Sequence, residues 1–332
     1  MVGQSRSEAQ LSAALKAVES EAASVLEKAE MLMEIAMGLQ QKPKDVGDLD
    51  AAVTLYRKAL DLTATQSPLL SARITARMGT ALMATPSNSA APLEQAKSAF
   101  EDALRTLNAD GTREEIAEAE MNLGLVLQSL AGVHKARIQD AIAAYQRALR
   151  TFDKLKHPQE FAILQNNLAT AFLSIPFTDE RSAMREALAV QAFREGLSVV
   201  TLVDHPTEYA MLQNNLGNAL QYASSTHPVE NGFRALEAYE EALKVRNARN
   251  TPAEFANTIA NMANCLSNLP DDPANPDAGN AVNTARALAL YEEAHALFER
   301  LQEHEKATLT ASAIDDLRGA LAHPARSASS MH

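Results

Sequence analysis

Apolar residues recur along this chain at three- and four-residue intervals, and the stretches that carry them are separated by short clusters of Pro, Asn, Asp and Ser. That period marks amphipathic helices, and few runs of Val, Ile and Thr are long enough to make strands. The pattern is also copied. Glu160-Phe-Ala-Ile-Leu-Gln-Asn-Asn-Leu-Ala169 returns 48 residues later as Glu208-Tyr-Ala-Met-Leu-Gln-Asn-Asn-Leu-Gly217. Weaker copies lie at Glu115 to Gly124 and Glu254 to Ala263. The register places a small residue at Gly38, Gly79, Gly124, Ala169, Gly217 and Ala263, with spacings of 41, 45, 45, 48 and 46.

A second half-motif follows each copy: Ala52/Tyr56/Ala59, Ala96/Phe100/Ala103, Ala141/Tyr145/Ala148, Ala189/Phe193/Gly196, Ala235/Tyr239/Ala242 and Ala287/Tyr291/Ala294. Offsets of four, three and seven put these residues on one helical face, where the small ones admit a neighbouring helix and the aromatic fills the space beside them. Ser67, Thr112, His157, His205 and Thr251 share one register position. Pro follows four of them, and Glu115, Glu160, Glu208 and Glu254 stand three residues after their caps. Pro at the first helical position with Glu at the third marks a helix start. Six helical hairpins are therefore predicted. Their A helices lie near 22–41, 67–84, 112–130, 157–175, 205–223 and 251–269; their B helices lie near 49–63, 92–108, 136–154, 182–202, 232–248 and 281–301.

This arrangement resembles the tetratricopeptide repeat family, through Asn215-Leu216-Gly217…Leu220 in helix A and Ala235…Tyr239…Ala242 in helix B. The copies are longer than the family unit of about 34 residues, and the paired Asn-Asn-Leu is similar to the longer repeats of kinesin light chains. The resemblance implies an all-α, right-handed solenoid of about six antiparallel hairpins. Residues 26–302 form the repeats. Residues 1–25, with Leu11, Leu15, Val18 and Ala22 in an amphipathic pattern, extend or fold back over the first A helix. Residues 303–322 place Ala307, Ala311, Ile314, Leu317 and Leu321 on one face of a capping helix, and 323–332 form a disordered tail.

Composition narrows the function. Hydrophobic residues make up 46%, enough to fill a core. The net charge of −12 repels phosphate, so nucleic acid is not an expected partner. No apolar run has the roughly 20 residues of a membrane span, and the first residues lack the apolar core of a signal peptide; a cytoplasmic protein is expected. Neither a phosphate-cradling Gly-Lys-Ser/Thr loop, a Gly-x-Gly-x-x-Gly turn nor a Gly-x-Ser-x-Gly elbow occurs. The histidines form no His-Glu-x-x-His, and His157 and His205 stand where Thr251 stands, as helix-start residues. The lone Cys265 reads as a small buried thiol, and Asp271, Asp272 and Asp277 as a solvated loop. No catalysis, cofactor or metal is expected.

One polar row asks for use. The position before the helix-A Leu or Met reads Ala36, Arg77, Asn122, Asn167, Asn215 and Asn261. Asn166 and Asn214 add a second amide one place earlier, Asn218 and Asn264 lie a turn later, and Asn257 a turn before Asn261. Asn is a mediocre helix former, so repeating it mid-helix costs stability. Two roles fit. An amide donates and accepts, so the row matches an extended peptide backbone; the resemblance implies such a contact for Asn122, Asn167, Asn215 and Asn261. The same amides could instead bridge adjacent helices. Arg73 and Arg77, four apart on one face, resemble the basic half of a carboxylate clamp, and pairing with Glu114 or Glu118 on the next A helix is the alternative. The expected function is a protein-interaction module that holds a peptide or protein segment, carrying an acidic or carboxylate group, as adaptor, scaffold or assembly factor. The competing function is a ligand-gated regulator closing around a short signalling peptide or small molecule. Homo-oligomerisation is left open.

Overall fold

A computed structural model describes residues 6–18, 23–44, 46–176, 181–224 and 227–322. The expected tail, 323–332, and Ala22 of the N-terminal stripe lie outside these. Among the described residues the chain is all-helical, with no strand. It divides into two compact units, Met1–Asp153 and Lys154–His332.

Unit 1 holds α1 (Arg6–Val18) and three hairpins: α2 (Val25–Gln41) with α3 (Val46–Thr63), α4 (Pro68–Ala84) with α5 (Ala91–Asp110), and α6 (Arg113–Gly132) with α7 (Ile138–Ala148). Each helix packs on the next in sequence, the A helices α2, α4 and α6 also touch in turn, and α1 folds back on α2 and α3. Unit 2 repeats the scheme with α8 (Pro158–Leu173), α9 (Arg181–Leu197), α10 (Pro206–Gln221), α11 (Pro228–Leu243), α12 (Pro252–Ser267) and α13 (Ala281–Arg300), closed by α14 (His304–Ala322) on α13.

The A-helix starts fall in the predicted register, but the caps differ: Ser67, before Pro68, accepts from Leu70 N with its side chain. Ser24 and Thr112 form full capping boxes with Glu27 and Glu115. His157, His205, His227 and Thr251, each before Pro, make no side-chain cap bond. Their backbones share φ of −127 to −139° and ψ of 55 to 62°, because the proline ring drives the preceding residue out of the helical region. Proline thus sets these starts by sterics. Three B helices end earlier than predicted, α7 at Ala148, α9 at Leu197 and α11 at Leu243, and the turn after α7 buries Phe152. The Asp271 loop is not merely solvated. Its carboxylate accepts from Val282 N and Asn283 N at 3.0 and 2.8 Å, capping α13.

Five of the six expected aromatics, Tyr56, Phe100, Tyr145, Phe193 and Tyr239, are fully buried; Tyr291 is half-buried. The glycine opposite is a matter of space. A Cβ on Gly217 would lie 2.6 Å from the Tyr239 ring, one on Gly79 3.0 Å from Phe100, and one on Gly124 would overlap Tyr145. Gly38 departs from the rule, with nothing within 4 Å. Each buried phenol also finds an amide on its own hairpin: Tyr56 Oη donates to Gln40 Oε1, Tyr145 Oη to Gln128 Oε1 and Tyr239 Oη to Gln221 Oε1, each at 2.8 Å. Where the ring is Phe100 or Phe193, the place of Gln128 and Gln221 is taken by Met83 and Leu173. Cys265 is buried, donating to Gly232 O at 3.3 Å, and burial pushes its thiol up to about 12.

Candidate functional site

The A-helix faces differ between the units. In unit 1, α4 presents Arg73 and Arg77 one turn apart, and both turn to α6. Arg73 Nε donates to Glu115 Oε1 at 2.6 Å, and Arg77 Nη1 to Glu118 Oε1 at 3.1 Å. Of the pairings expected from sequence, Glu118 is the partner of Arg77; Glu115 takes the place given to Glu114. Glu115 already accepts from Thr112 N at 2.9 Å in its capping box. Burial pushes this carboxyl up, but the bonds from Arg73 and Thr112 outweigh it and hold the group below the usual carboxylate range. Both pairs remain partly exposed, Glu115 least of the four. Beside them lies a cavity of about 200 Å³, which Met33, Glu34 and Met37 of α2 and Asn122 of α6 also line. Sequence reasoning missed the α2 residues, although their spacing of three and four marks one helical face.

In unit 2 the amides meet one another. Asn261 Nδ2 donates to Asn214 Oδ1 at 3.4 Å, Asn214 Nδ2 to Asn215 Oδ1 at 3.0 Å, Asn215 Nδ2 to Asn166 Oδ1 at 2.8 Å, and Asn166 Nδ2 to Asn167 Oδ1 at 3.3 Å. The result is one chain of hydrogen bonds from α12 through α10 to α8, all donors facing the same way. Asn166, Asn167 and Asn214 are buried, 7–8% exposed, so a partner has little access to them. The chain ends at Asn167, whose buried Nδ2 has no hydrogen-bond partner among the described residues. Asn218 Oδ1 lies 2.7 Å from Tyr239 Oη and shares that hydroxyl's one proton with Gln221, and Asn264 donates to Tyr222 Oη at 2.5 Å. Asn257, Asn261 and Asn264 line a second cavity, of about 280 Å³, with Lys306 and Leu309 of α14 opposite. The bridging role weighed for the amides from sequence is thus visible in unit 2. Asn122, Asn257, Asn261 and Asn264 are the ones that also face open volume.

Among the described residues no group of three or more His, Cys, Asp or Glu is placed to hold a metal ion, and no helix is long and apolar enough to cross a membrane. No family model matches the chain, and no curated protein does. Among solved structures, it is similar to a tetratricopeptide repeat protein from Parabacteroides merdae, at 14% identity and a TM-score of 0.39, over 85% of this chain and 98% of that one.

Proposed function

We propose that the protein is a non-enzymatic interaction module that takes an extended segment of a protein partner along its A-helix faces and acts as adaptor, scaffold or assembly factor. The observation that carries this reading is the character of the two cavities. The first is walled by the successive A helices α2, α4 and α6, the second by α12, α13 and the capping helix α14, and both set half-buried amides beside apolar side chains: Asn122 with Met33 and Met37 in unit 1, and Asn257, Asn261 and Asn264 with Leu309 in unit 2. Amides suit the donors and acceptors of a peptide backbone, and apolar walls suit its side chains. Arg73 and Arg77 contribute through their pairs with α6.

Site-specific photo-crosslinking tests it. A benzophenone amino acid at Asn122 or Asn261 should capture protein partners, and the same probe at Met184, exposed on α9, should not. Equal capture from all three positions would remove the A-helix faces as the binding surface.

A further inference from the structure

We propose that the unit-1 cavity selects a basic side chain, Lys or Arg, of the bound segment. This rests on the segment-binding reading and reverses the acidic group expected from sequence. The two guanidiniums that suggested a carboxylate anchor are already occupied, by Glu115 and Glu118. N–H groups that these glutamates leave unused could still reach an incoming carboxylate, but the paired glutamate, held on the same wall, would repel it at close range. The lining charge is then three carboxylates, Glu34, Glu115 and Glu118, against two guanidiniums.

Glu34 is the excess. It makes no ion pair among the described residues and is exposed. Glu30, one turn away on α2, extends the same acidic face. Glu118 has capacity left as well, because Arg77 reaches only its Oε1. A cationic head can therefore meet Glu34 and share Glu118 without breaking a bond already present. Its methylene stem finds Met33 and Met37, whose unbranched thioethers adapt to a chain of this shape. The cavity has room for one long side chain.

The test uses the full chain and decapeptide sublibraries with Arg, Glu or Ala fixed at a central position, read by fluorescence anisotropy at two salt concentrations. The Arg sublibrary should bind best. Glu34→Gln, an exposed substitution that leaves the fold intact, should weaken it by about twofold to fivefold, the range of an exposed ion pair. Arg77→Ala decides the sign: it releases Glu118 and should strengthen the Arg sublibrary, whereas a carboxylate anchor would lose affinity. Preference for the Glu sublibrary, or weaker binding by Arg77→Ala, overturns the inference and leaves segment binding standing. An Arg preference indifferent to Glu34→Gln also overturns it, since overall charge would then be the cause. Retention of no sublibrary overturns both readings.

Discussion

At the scale of single residues, one register position holds opposite consequences in different copies. Gly124→Ala puts a methyl into the ring of Tyr145, which is fully buried and anchored by Gln128. Overpacking costs about 1–3 kcal/mol, and the better helix propensity of Ala returns only about 1. A net loss of up to about 2 kcal/mol should appear in urea unfolding. Gly38→Ala meets nothing within 4 Å and should gain about 0.5–1 kcal/mol; the same sign at both sites would refute the packing argument. The amide chain sorts its members in a similar way. Asn215→Ala leaves the buried Asn166 Oδ1 and Asn214 Nδ2 without partners, at about 1–3 kcal/mol each before relaxation. Asn261→Ala removes one long bond at the end of the chain and leaves only Asn214 Oδ1 without a partner, so it should cost about half as much as Asn215→Ala. Thermal unfolding that ranks the two in the opposite order would show that the chain does not stabilise unit 2.

At the scale of helices, the last element carries the clearest expectation. α14 covers Ala294, Leu297 and Phe298 of α13, and His295 Nδ1 meets Ala307 O at 3.0 Å and Thr310 Oγ1 at 3.2 Å across that contact. Burial of a Leu or Phe contributes about 1.5–3 kcal/mol each. Ending the chain at Glu303 should therefore destabilise unit 2 by several kcal/mol and raise binding of a hydrophobic dye; unchanged melting and dye binding would remove α14 as a cap. The hairpins, their starts and their aromatics were legible in the sequence, because a helix records its buried face at spacings of three and four, and proline records its first turn. The ends of α7, α9 and α11 were not. The apolar pattern runs past Ala148 to Phe152, and a side chain delivered by a turn looks in sequence like one delivered by a helix. The pairing of Arg73 was half legible for a related reason. Glu114 and Glu115 are adjacent in sequence but about 100° apart around α6, so which one faces α4 depends on how the two helices are rotated.

At the scale of the whole molecule, alkaline pH acts on a buried device shared by both units. Burial raises Tyr56 and Tyr291 to about 12, and Tyr145 and Tyr239 further. An unfolded tyrosine titrates near 10. The folded chain therefore retains phenol protons that the unfolded chain releases. Stability is fully present below about pH 10 and falls as pH rises from there through the folded values. Helix signal at 222 nm and phenolate absorbance at 295 nm should change together above about pH 10; phenolate that appears near 10 without loss of helix would show that these hydroxyls are accessible. The same phenols bear on how such a chain can be enlarged or recombined. The three buried phenol–glutamine bonds each close within a hairpin, from B helix to its own A helix, and the two Phe-bearing copies carry Met83 and Leu173 to match. Cutting and rejoining genes between an A helix and its B helix would set Gln against Phe or Leu against Tyr, whereas a junction between hairpins moves each matched pair as one piece. The heritable module of this protein is the hairpin, and duplications or chimeras that respect that boundary should yield folded chains.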